Sequence, residues 1–356
     1  MDIKVPTLLI DKEKCRKNIK KMFEKATKAK ATLRPHFKTH HSAIVASWYR
    51  ELGINQCTVS SVSMANYFAK HGWKDITIAF PYNPLESVEI NALAGKIDLS
   101  ILLESNESAI HARENLKNKV GYFIKIDVGT LRTGIDHKNE DLINNIISTL
   151  GKELDFRGFL AHAGHTYGAG TIENIQWIFD QAEKMLVPLR ERFGGILSYG
   201  DTPSCSIIED LSTYDELRPG NFVFYDWMQH EIGSCTVNEI AVCLASPVTA
   251  IHPERSEVVI YGGAVHLSKD SLSTKNGTCF GKVVELTANG WNTSLIGNVN
   301  RISQEHGIIK LSENFISDVK VGDIIGVIPV HSCLAANIQG HYLSTNGERI
   351  EKLSKT

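Results

Sequence analysis

Short runs of β-branched and aromatic residues alternate with amphipathic segments of helical length over roughly 200 residues, starting at residues 7–10. Residues 76–80 (ITIAF) and 122–128 (YFIKIDV) are typical strands, and each precedes a segment with helical periodicity. About eight such repeats predict parallel βαβ units, and this number favours a closed (β/α)8 barrel of the α/β class. An open, doubly wound sheet alternates in the same way and is the alternative.

The pattern changes after about Asp226. Short strands, among them residues 241–246 and 323–328, are then separated by Gly, Asn, Pro and Ser, and helical periodicity is scarce. This pattern of short strands and turn residues predicts a second domain that consists mostly of β-strands. We therefore predict a barrel domain over residues 7–230 and a β domain over residues 231–356 together with residues 1–6.

Polar side chains gather where the predicted barrel strands end. Lys38 and the segments 127–132, 162–167 and 200–204 each follow a predicted strand. The carboxyl ends of all strands meet at one face of a (β/α)8 barrel, and the chemistry of such barrels lies there. We therefore expect these four segments to form one active site.

Lys38 lies in the stretch RPHFKTH, residues 34–40, among two imidazoles, an aromatic ring and an arginine. Cationic neighbours and apolar surroundings both disfavour the ammonium form, so they favour a nucleophilic amine. The plainer interpretation is a solvated lysine at a strand end, which is the common situation for an isolated lysine.

His331 and Cys333 stand two positions apart, directly after a predicted strand. Residues at i and i+2 of an extended chain point to the same side, so this imidazole and this thiolate could hold one ion, with Zn²⁺ favoured. Two protein ligands suit an open site, in which water and substrate complete the coordination. Two incidental core residues are the alternative.

Two further segments carry groups suited to a phosphate. Gly220 and Asn221 offer backbone N–H groups, and residues 200–204 (GDTPS) add hydroxyls, although each segment could equally be an ordinary turn. Tyr167 is a candidate general acid–base or a phenol against a cofactor ring, with a structural aromatic at the barrel rim as the alternative. The P-loop, G-x-S-x-G and H-E-x-x-H patterns are absent from the sequence, which excludes the sites they define.

The composition and charge of the chain restrict the class of protein to which it can belong. The 356 residues are 42% hydrophobic and 22% charged, as in ordinary soluble globular proteins. The net charge of −2 gives no indication of a nucleic-acid partner or an anionic membrane, and no apolar run approaches the ~20 residues that a membrane span needs. The first residues lack a secretion signal, and seven cysteines without a C-x-x-C pair argue against a disulfide framework. We expect a cytoplasmic protein.

Taken in order, these motifs resemble the D-serine dehydratase / D-threonine aldolase family. The resemblance rests on PTLLID (6–11), RPHFKTH (34–40), KIDVG (125–129) with Arg132, and HSC (331–333), and it covers nearly the whole chain. Members of this family are pyridoxal 5'-phosphate enzymes of the alanine-racemase-like fold. The resemblance therefore implies a barrel that binds this cofactor, a C-terminal β domain with a metal site, and a homodimer.

The same resemblance assigns roles to individual residues. Lys38 would attach the cofactor covalently and, with Tyr167, would be catalytic. Arg132 would approach the pyridine ring, and Thr202 would help to hold the phosphate. The residues implied in cofactor binding are Lys38, Arg132, His165, Tyr167, Thr202, Gly220 and Asn221, and those implied in metal binding are His331 and Cys333.

The branch of the family decides the reaction. The segment HAGHTYG (162–168) and the His-x-Cys pair look like the dehydratase branch, whereas aldolases of the group more often resemble a His-x-Asp pair. We therefore expect a dehydratase (ammonia-lyase) that converts a D-3-hydroxy amino acid such as D-serine into a 2-oxo acid and ammonia. It would depend on pyridoxal 5'-phosphate and on a divalent metal, Zn²⁺ or alternatively Mn²⁺.

Two other reactions stay open. A D-threonine or 3-hydroxy-D-aspartate aldolase would use the same groups and release glycine and an aldehyde. An amino-acid racemase would need a second base, for which Tyr261 is a candidate, but it would have no use for a metal pair. A non-catalytic carrier of the cofactor is disfavoured because such proteins are usually a lone barrel.

Overall fold

The computed structural model describes residues 2–275 and 277–353, and these residues form two compact units. One unit comprises Lys20–Lys38 and Ala46–Gly220. The other comprises the described residues before Lys20, the segment Thr39–Val45 and the described residues after Gly220. The predicted domain boundaries, 7–230 and 231–356 with 1–6, stay predictions.

The strands are, in chain order, β1 (Thr7–Ile10), β2 (Thr32–Leu33), β3 (Gln56–Val59), β4 (Asp75–Pro81), β5 (Asp98–Leu103), β6 (Gly121–Asp127), β7 (Ile135–Asp136), β8 (Asp155–Ala161), β9 (Ile196–Tyr199), β10 (Glu216–Leu217), β11 (Val242–His252), β12 (Glu257–Tyr261), β13 (Leu272–Thr274), β14 (Gly277–Cys279), β15 (Gly281–Thr287), β16 (Gly290–Ile302), β17 (His306–Leu311), β18 (Ile324–Pro329), β19 (His341–Ser344) and β20 (Arg349–Glu351). The helices are α1 (Lys12–Lys28), α2 (Ala43–Arg50), α3 (Val62–Lys70), α4 (Ser87–Ala94), α5 (Asn106–Asn115), α6 (Glu140–Leu150), α7 (Ile172–Phe193), α8 (Thr202–Ile207), α9 (Trp227–Glu231), α10 (Ala264–Leu267), α11 (Glu313–Ile316) and α12 (Ser332–Ile338).

Eight parallel strands form the barrel of the first unit, in the order β2-β10-β9-β8-β6-β5-β4-β3. A parallel bridge between His36 and Thr58 connects the chain after β2 to β3, so the sheet closes on itself. This closure confirms the predicted (β/α)8 barrel and excludes the open, doubly wound sheet.

Polar residues after the strands begin the helices that return the chain across the outside of the barrel. The hydroxyls of Ser61, Ser105 and Thr171 accept hydrogen bonds from the first turns of α3, α5 and α7. In α7, buried side chains recur every three or four residues, for example at Ile175 and Phe179, so one face of the helix packs inward. No helix of the described residues is both long and apolar enough to cross a bilayer.

The second unit contains a nine-stranded sheet in the order β12-β17-β16-β15-β18-β11-β1-β19-β20. The long strand β11 pairs with β18 and also with β12, so six of its antiparallel strands close into a ring. This confirms a C-terminal region that consists mostly of strands.

The strand at residues 7–10 is not one of the eight strands of the barrel sheet. This strand, β1, pairs antiparallel with β11, with Thr7 opposite Ala245 and Ile10 opposite Val242. The eighth barrel strand is β10 instead, and it has only two residues, Glu216 and Leu217. A strand this short has no periodicity that a sequence pattern could reveal.

Candidate active site

A cavity of about 250 Å³ opens among the carboxyl ends of the barrel strands, and Lys38 and Arg132 both line it. Its other lining residues include His162, directly after β8, and Arg218, directly after β10. The structure therefore brings together side chains from four separate segments of the chain. All four follow the carboxyl end of a barrel strand, and the active sites of (β/α)8 barrels lie at this face.

The cavity is strongly cationic. Lys38, Lys125, Arg132 and Arg218 line it, and none of its lining residues in the described chain is a carboxylate. Burial, together with the nearby guanidinium groups of Arg218 and Arg132, lowers the pKa of Lys125 to about 7. Burial also lowers the pKa of Arg218 to about 10. Such a cavity is suited to an anionic ligand, whose negative charge would offset the repulsion among these cationic side chains.

Lys38 follows Phe37, a residue that anchors the loop by its buried ring. This ring packs edge-on against Trp73 with centroids 4.7 Å apart, and it also contacts Tyr49 and Phe68. The backbone N–H of Phe37 donates to the carbonyl of Thr58 at 2.8 Å. The exposed Lys38 side chain is thus carried by a backbone that packing and hydrogen bonding hold in place.

His162 lines the cavity, and the two histidines of the HAGHTYG segment therefore differ in position. The His162 Nδ1 lies 2.5 Å from the carbonyl oxygen of Gly200. Burial, together with the charge of Lys38, holds the pKa of His162 well below its usual range, so the ring is neutral and Nδ1–H donates to that carbonyl. His165, the implied cofactor residue, instead places its Nδ1 3.2 Å from the hydroxyl of Thr130.

Tyr167 and Thr202 meet at the start of α8. The backbone N–H of Thr202 donates to the phenol oxygen of Tyr167 at 3.5 Å. The hydroxyl of Thr202 is fully buried and finds no hydrogen-bond partner among the described residues. An unsatisfied buried hydroxyl costs free energy, so this group fits an added acceptor such as a phosphate oxygen.

Gly220 and Asn221 follow Arg218, and both are buried. The side-chain amide of Asn221 donates to Asp226 Oδ2 at 2.6 Å and to the hydroxyl of Ser332 at 3.0 Å. Its side chain therefore belongs to a second cluster of polar groups, which contains His331 and Cys333. Only the backbone of Asn221 is left for the phosphate contact that the motif implies.

His331 and Cys333 form a coupled acid–base pair. Burial opposes both charges, yet the pKa of His331 is raised well above its usual range because Cys333 and Asp226 stabilise the imidazolium. The pKa of Cys333 is lowered by His331 despite its burial, and the hydroxyl of Thr39 lies 3.3 Å from its sulfur. An imidazole beside a thiolate is a donor set that suits Zn²⁺.

The local geometry of this pair differs from the extended segment that the spacing predicts. His331 is extended and directly precedes α12, whereas Cys333 lies in the first turn of that helix. Among the residues that the structure describes, no group of three or more His, Cys, Asp or Glu side chains is arranged to hold a metal. The pair by itself therefore offers two protein ligands.

Several site residues were not assigned a role from the sequence. The sequence motifs contain Lys125 and His162 without indicating a role for either, although both lie at or beside the end of a predicted strand. Arg218 stood out only as part of a turn. Asp226 and Thr39 gave no signal, since their contacts with His331 and Cys333 join distant parts of the chain.

Comparison with known proteins agrees with this architecture. The model of the family "Alanine racemase, N-terminal domain" matches residues 10–226, and that of the "Putative serine dehydratase domain" matches residues 241–345. The chain is 28% identical to a D-serine dehydratase of Dictyostelium discoideum, over 98% of this chain and 94% of the other. It is 26% identical to a D-threo-3-hydroxyaspartate dehydratase of Delftia sp. (strain HT23), over 94% of this chain and 92% of the other.

A solved structure has the same fold. It is a cysteine-to-alanine mutant of a D-threo-3-hydroxyaspartate dehydratase in the metal-free form, with a TM-score of 0.90 and 23% sequence identity. The superposition covers 100% of this chain and 99% of that chain.

Proposed function

The chain belongs to the family described as the alanine racemase N-terminal domain, and on this premise we propose that it is a dehydratase of a D-3-hydroxy amino acid such as D-serine. The reaction would release a 2-oxo acid and ammonia with the help of pyridoxal 5'-phosphate and a divalent metal. The observation that carries the proposal is the coupled pair of His331 and Cys333, because a racemase has no use for such a metal-binding pair. The similarity to two dehydratases supports it.

The residues of the barrel cavity fit pyridoxal 5'-phosphate. Lys38 lines the cavity and offers an amine for covalent attachment. Thr202 lies two residues after the lining residue Gly200, and its hydroxyl, which has no partner among the described residues, suits a phosphate oxygen. The cationic lining suits the negative charge of both the phosphate and the substrate carboxylate. We propose that Arg132 approaches the pyridine ring of the cofactor and that Tyr167 and His165 lie near this ring. The backbone of Gly220 and Asn221 would bind the phosphate. When bound, this cofactor stabilises the negative charge that forms when an amino acid loses its Cα proton.

The chain's own groups would then move and orient protons. Lys38 would hold the cofactor through Nζ, and the same amine would accept the Cα proton of the substrate. The neutral imidazole of His162, fixed by its bond to Gly200, would present a flat and uncharged face to the cavity. The phenol of Tyr167, held by the N–H of Thr202, would orient the ligand at the cavity edge.

His331 and Cys333 would hold the metal ion, for which Zn²⁺ is the better match to a thiolate than Mn²⁺. Such an ion acts as a Lewis acid on an oxygen ligand, which helps a poor leaving group such as the β-hydroxyl to depart. The thiolate character that His331 confers on Cys333 prepares this ligand for the ion. The solved dehydratase relative is a cysteine-to-alanine mutant described as being in the metal-free form. This description distinguishes it from a metal-bound form and so supports this part of the proposal.

We further propose that the enzyme works as a homodimer in the cytoplasm. None of the seven cysteines, all of which lie in the described part of the chain, forms a disulfide, which is the state expected in a reducing compartment. Sedimentation equilibrium at several concentrations tests the assembly, and a single species with the mass of two chains is expected. A species with the mass of one chain would overturn it.

Product analysis tests the reaction. The protein loaded with cofactor and zinc is given D-serine or D-threonine, with and without a chelator, and L-serine serves as the stereochemical control. We expect a 2-oxo acid and ammonia from the D-substrate only, with loss of the reaction on chelation. Glycine and an aldehyde would instead identify an aldolase, and formation of the L-amino acid would identify a racemase.

A further inference from the structure

The buried carboxylate of Asp226 lies against the imidazole of His331. The Oδ2 of Asp226 is 3.2 Å from Nδ1 of His331, and the side chain of Asp226 is 0% exposed. Asp226 has no role in the assignments made so far. Its position beside a metal-binding imidazole, away from water, raises the question of what the contact does.

The carboxylate is held rigidly by donors from three directions. Its Oδ2 accepts from the side-chain amide of Asn221 at 2.6 Å, and from the backbone N–H and the hydroxyl of Ser332 at 2.8 and 3.2 Å. Its Oδ1 accepts from the backbone N–H of Gln229 at 2.9 Å, which caps α9. Both oxygens are therefore engaged as acceptors, and the carboxylate has no freedom to turn away from His331.

This arrangement decides which nitrogen of the imidazole carries the proton. A carboxylate held by four donors offers only an acceptor to Nδ1, so a neutral ring places its hydrogen on Nδ1. The lone pair of the ring is then on Nε2, the nitrogen on the opposite side from Asp226. A metal-binding imidazole needs this free lone pair, and a partner on the other nitrogen fixes the ring.

The same network reaches the second donor. The amide of Asn221, which donates to Asp226, lies 3.5 Å from the sulfur of Cys333, and the hydroxyl of Thr39 lies 3.3 Å from that sulfur. Asn221 therefore contacts both the carboxylate that orients the imidazole and the thiolate itself. The positions of the two donor groups are coupled through one buried side chain.

We propose that Asp226 is a positioning residue that holds His331 in the Nδ1–H tautomer and presents its Nε2 to a metal ion. This inference rests on the proposed metal site of His331 and Cys333. Direct coordination by Asp226 is the competing role. The contacts speak against it, because Oδ2 already accepts three hydrogen bonds besides facing Nδ1, and Oδ1 is committed to the cap of α9.

Zinc affinity of the cofactor-loaded protein tests the proposal. In Asp226→Asn an amide donor can occupy the place of the acceptor, which favours the Nε2–H tautomer. In Asp226→Ser the side chain is too short to reach the ring. Asn and Ser both retain an oxygen that can cap α9. We expect each variant to bind Zn²⁺ about 10–100-fold more weakly than the wild type, with unchanged cofactor binding.

The matched control is Asp11→Asn, the same substitution at a carboxylate that accepts the backbone N–H of Lys14 in the first turn of α1, and it should bind Zn²⁺ as the wild type does. Equal zinc affinity of the wild type and both Asp226 variants would overturn the inference alone. A wild type that binds no Zn²⁺ would overturn the metal site on which it rests.

A measurement on the unaltered protein avoids any folding defect of the variants. In the zinc-loaded, ¹⁵N-histidine-labelled wild type, the nitrogen shifts of His331, assigned with His331→Gln, report its tautomer. We expect the hydrogen on Nδ1 and the metal on Nε2. A hydrogen on Nε2 would overturn the proposal.

Discussion

The hydroxyl of Thr166 donates a hydrogen bond of 2.9 Å to the carboxylate of Asp201, and both groups are buried. The same carboxylate accepts the backbone N–H of Ser204 at 2.7 Å and so caps α8. Tyr167 is next to Thr166, and Thr202 is next to Asp201. This one carboxylate thus joins the two segments that carry the phenol and the unpartnered hydroxyl of the proposed cofactor site.

Asp201 makes the stability of the protein depend on pH in a definite direction. Burial raises its pKa from 3.8 to about 6, despite the hydrogen bonds that favour the charged form. The folded chain therefore binds this proton more tightly than the unfolded chain does. The stability that the proton confers is present below pH 3.8 and is lost as the pH rises to about 6, by up to about 3 kcal/mol at 1.36 kcal/mol per pKa unit.

Urea unfolding of the cofactor-free protein across this pH range measures the effect. The Asp201→Asn variant lacks the titrating group. The difference in unfolding free energy between this variant and the wild type should therefore change by up to about 3 kcal/mol between pH 3.8 and about pH 6. Asn144→Ala, at an exposed position in α6, changes no titrating group, so it is the control and should run parallel to the wild type. Parallel curves for Asp201→Asn as well would contradict the assignment of this pH dependence to Asp201.

Replacing Thr202 with valine should separate stability from cofactor binding. The hydroxyl has no partner in the described structure, so its loss should leave stability unchanged or raise it by about 1 kcal/mol. Affinity for pyridoxal 5'-phosphate should fall about 10–100-fold, because a hydrogen bond to a charged group contributes about 1.5–3 kcal/mol. Thermal unfolding without cofactor and equilibrium titration with it give the two values.

Thr166→Val is the matched control for that variant. Its hydroxyl donates to Asp201, so its removal should destabilise the cofactor-free protein by about 1–3 kcal/mol. If Thr202→Val binds the cofactor as tightly as the wild type does, Thr202 does not contact the phosphate.

Lys38→Ala should lose the visible absorbance of covalently attached cofactor and all turnover. The substitution removes the exposed side chain beyond Cβ, including the amine, and Phe37 keeps the loop anchored, so the fold should be retained. Absorbance spectra after dialysis against the cofactor, compared with those of the exposed-lysine control Lys70→Ala, provide the measurement. A spectrum like that of the wild type would show that another amine attaches the cofactor.

Cys333→Ala should abolish dehydration and bound zinc while leaving the cofactor spectrum intact. The thiolate is one of two protein ligands, and an imidazole alone holds Zn²⁺ weakly. Metal analysis and 2-oxo acid formation are measured side by side with Cys235→Ala, which should behave as the wild type. Wild-type turnover without bound metal would exclude His331 and Cys333 from the reaction.

Much of the barrel could be predicted because its elements have local causes. The strand at residues 76–80 is β-branched and the cap at Ser61 is a single hydroxyl, so both are visible in a few consecutive residues. Residues 7–10 have the same local pattern, yet they pair with β11, since strand pairing depends on partners far away in sequence. The strand β10 could not be predicted because its two residues are too few to show a periodic pattern.

For the candidate site, the sequence by itself determined which chemical groups are available and that Lys38 and Arg132 follow strands of a barrel, because alternation and strand ends are local properties. Only the tertiary structure decided that His162 rather than His165 lines the cavity, that Cys333 begins a helix, and that Asp226 faces His331. Those outcomes depend on backbone direction and on contacts between residues that lie far apart in the chain, such as the bond from Ser332 to Asp226, which spans 106 residues. The energies involved are those of burial and hydrogen bonding between distant segments, which no local pattern records.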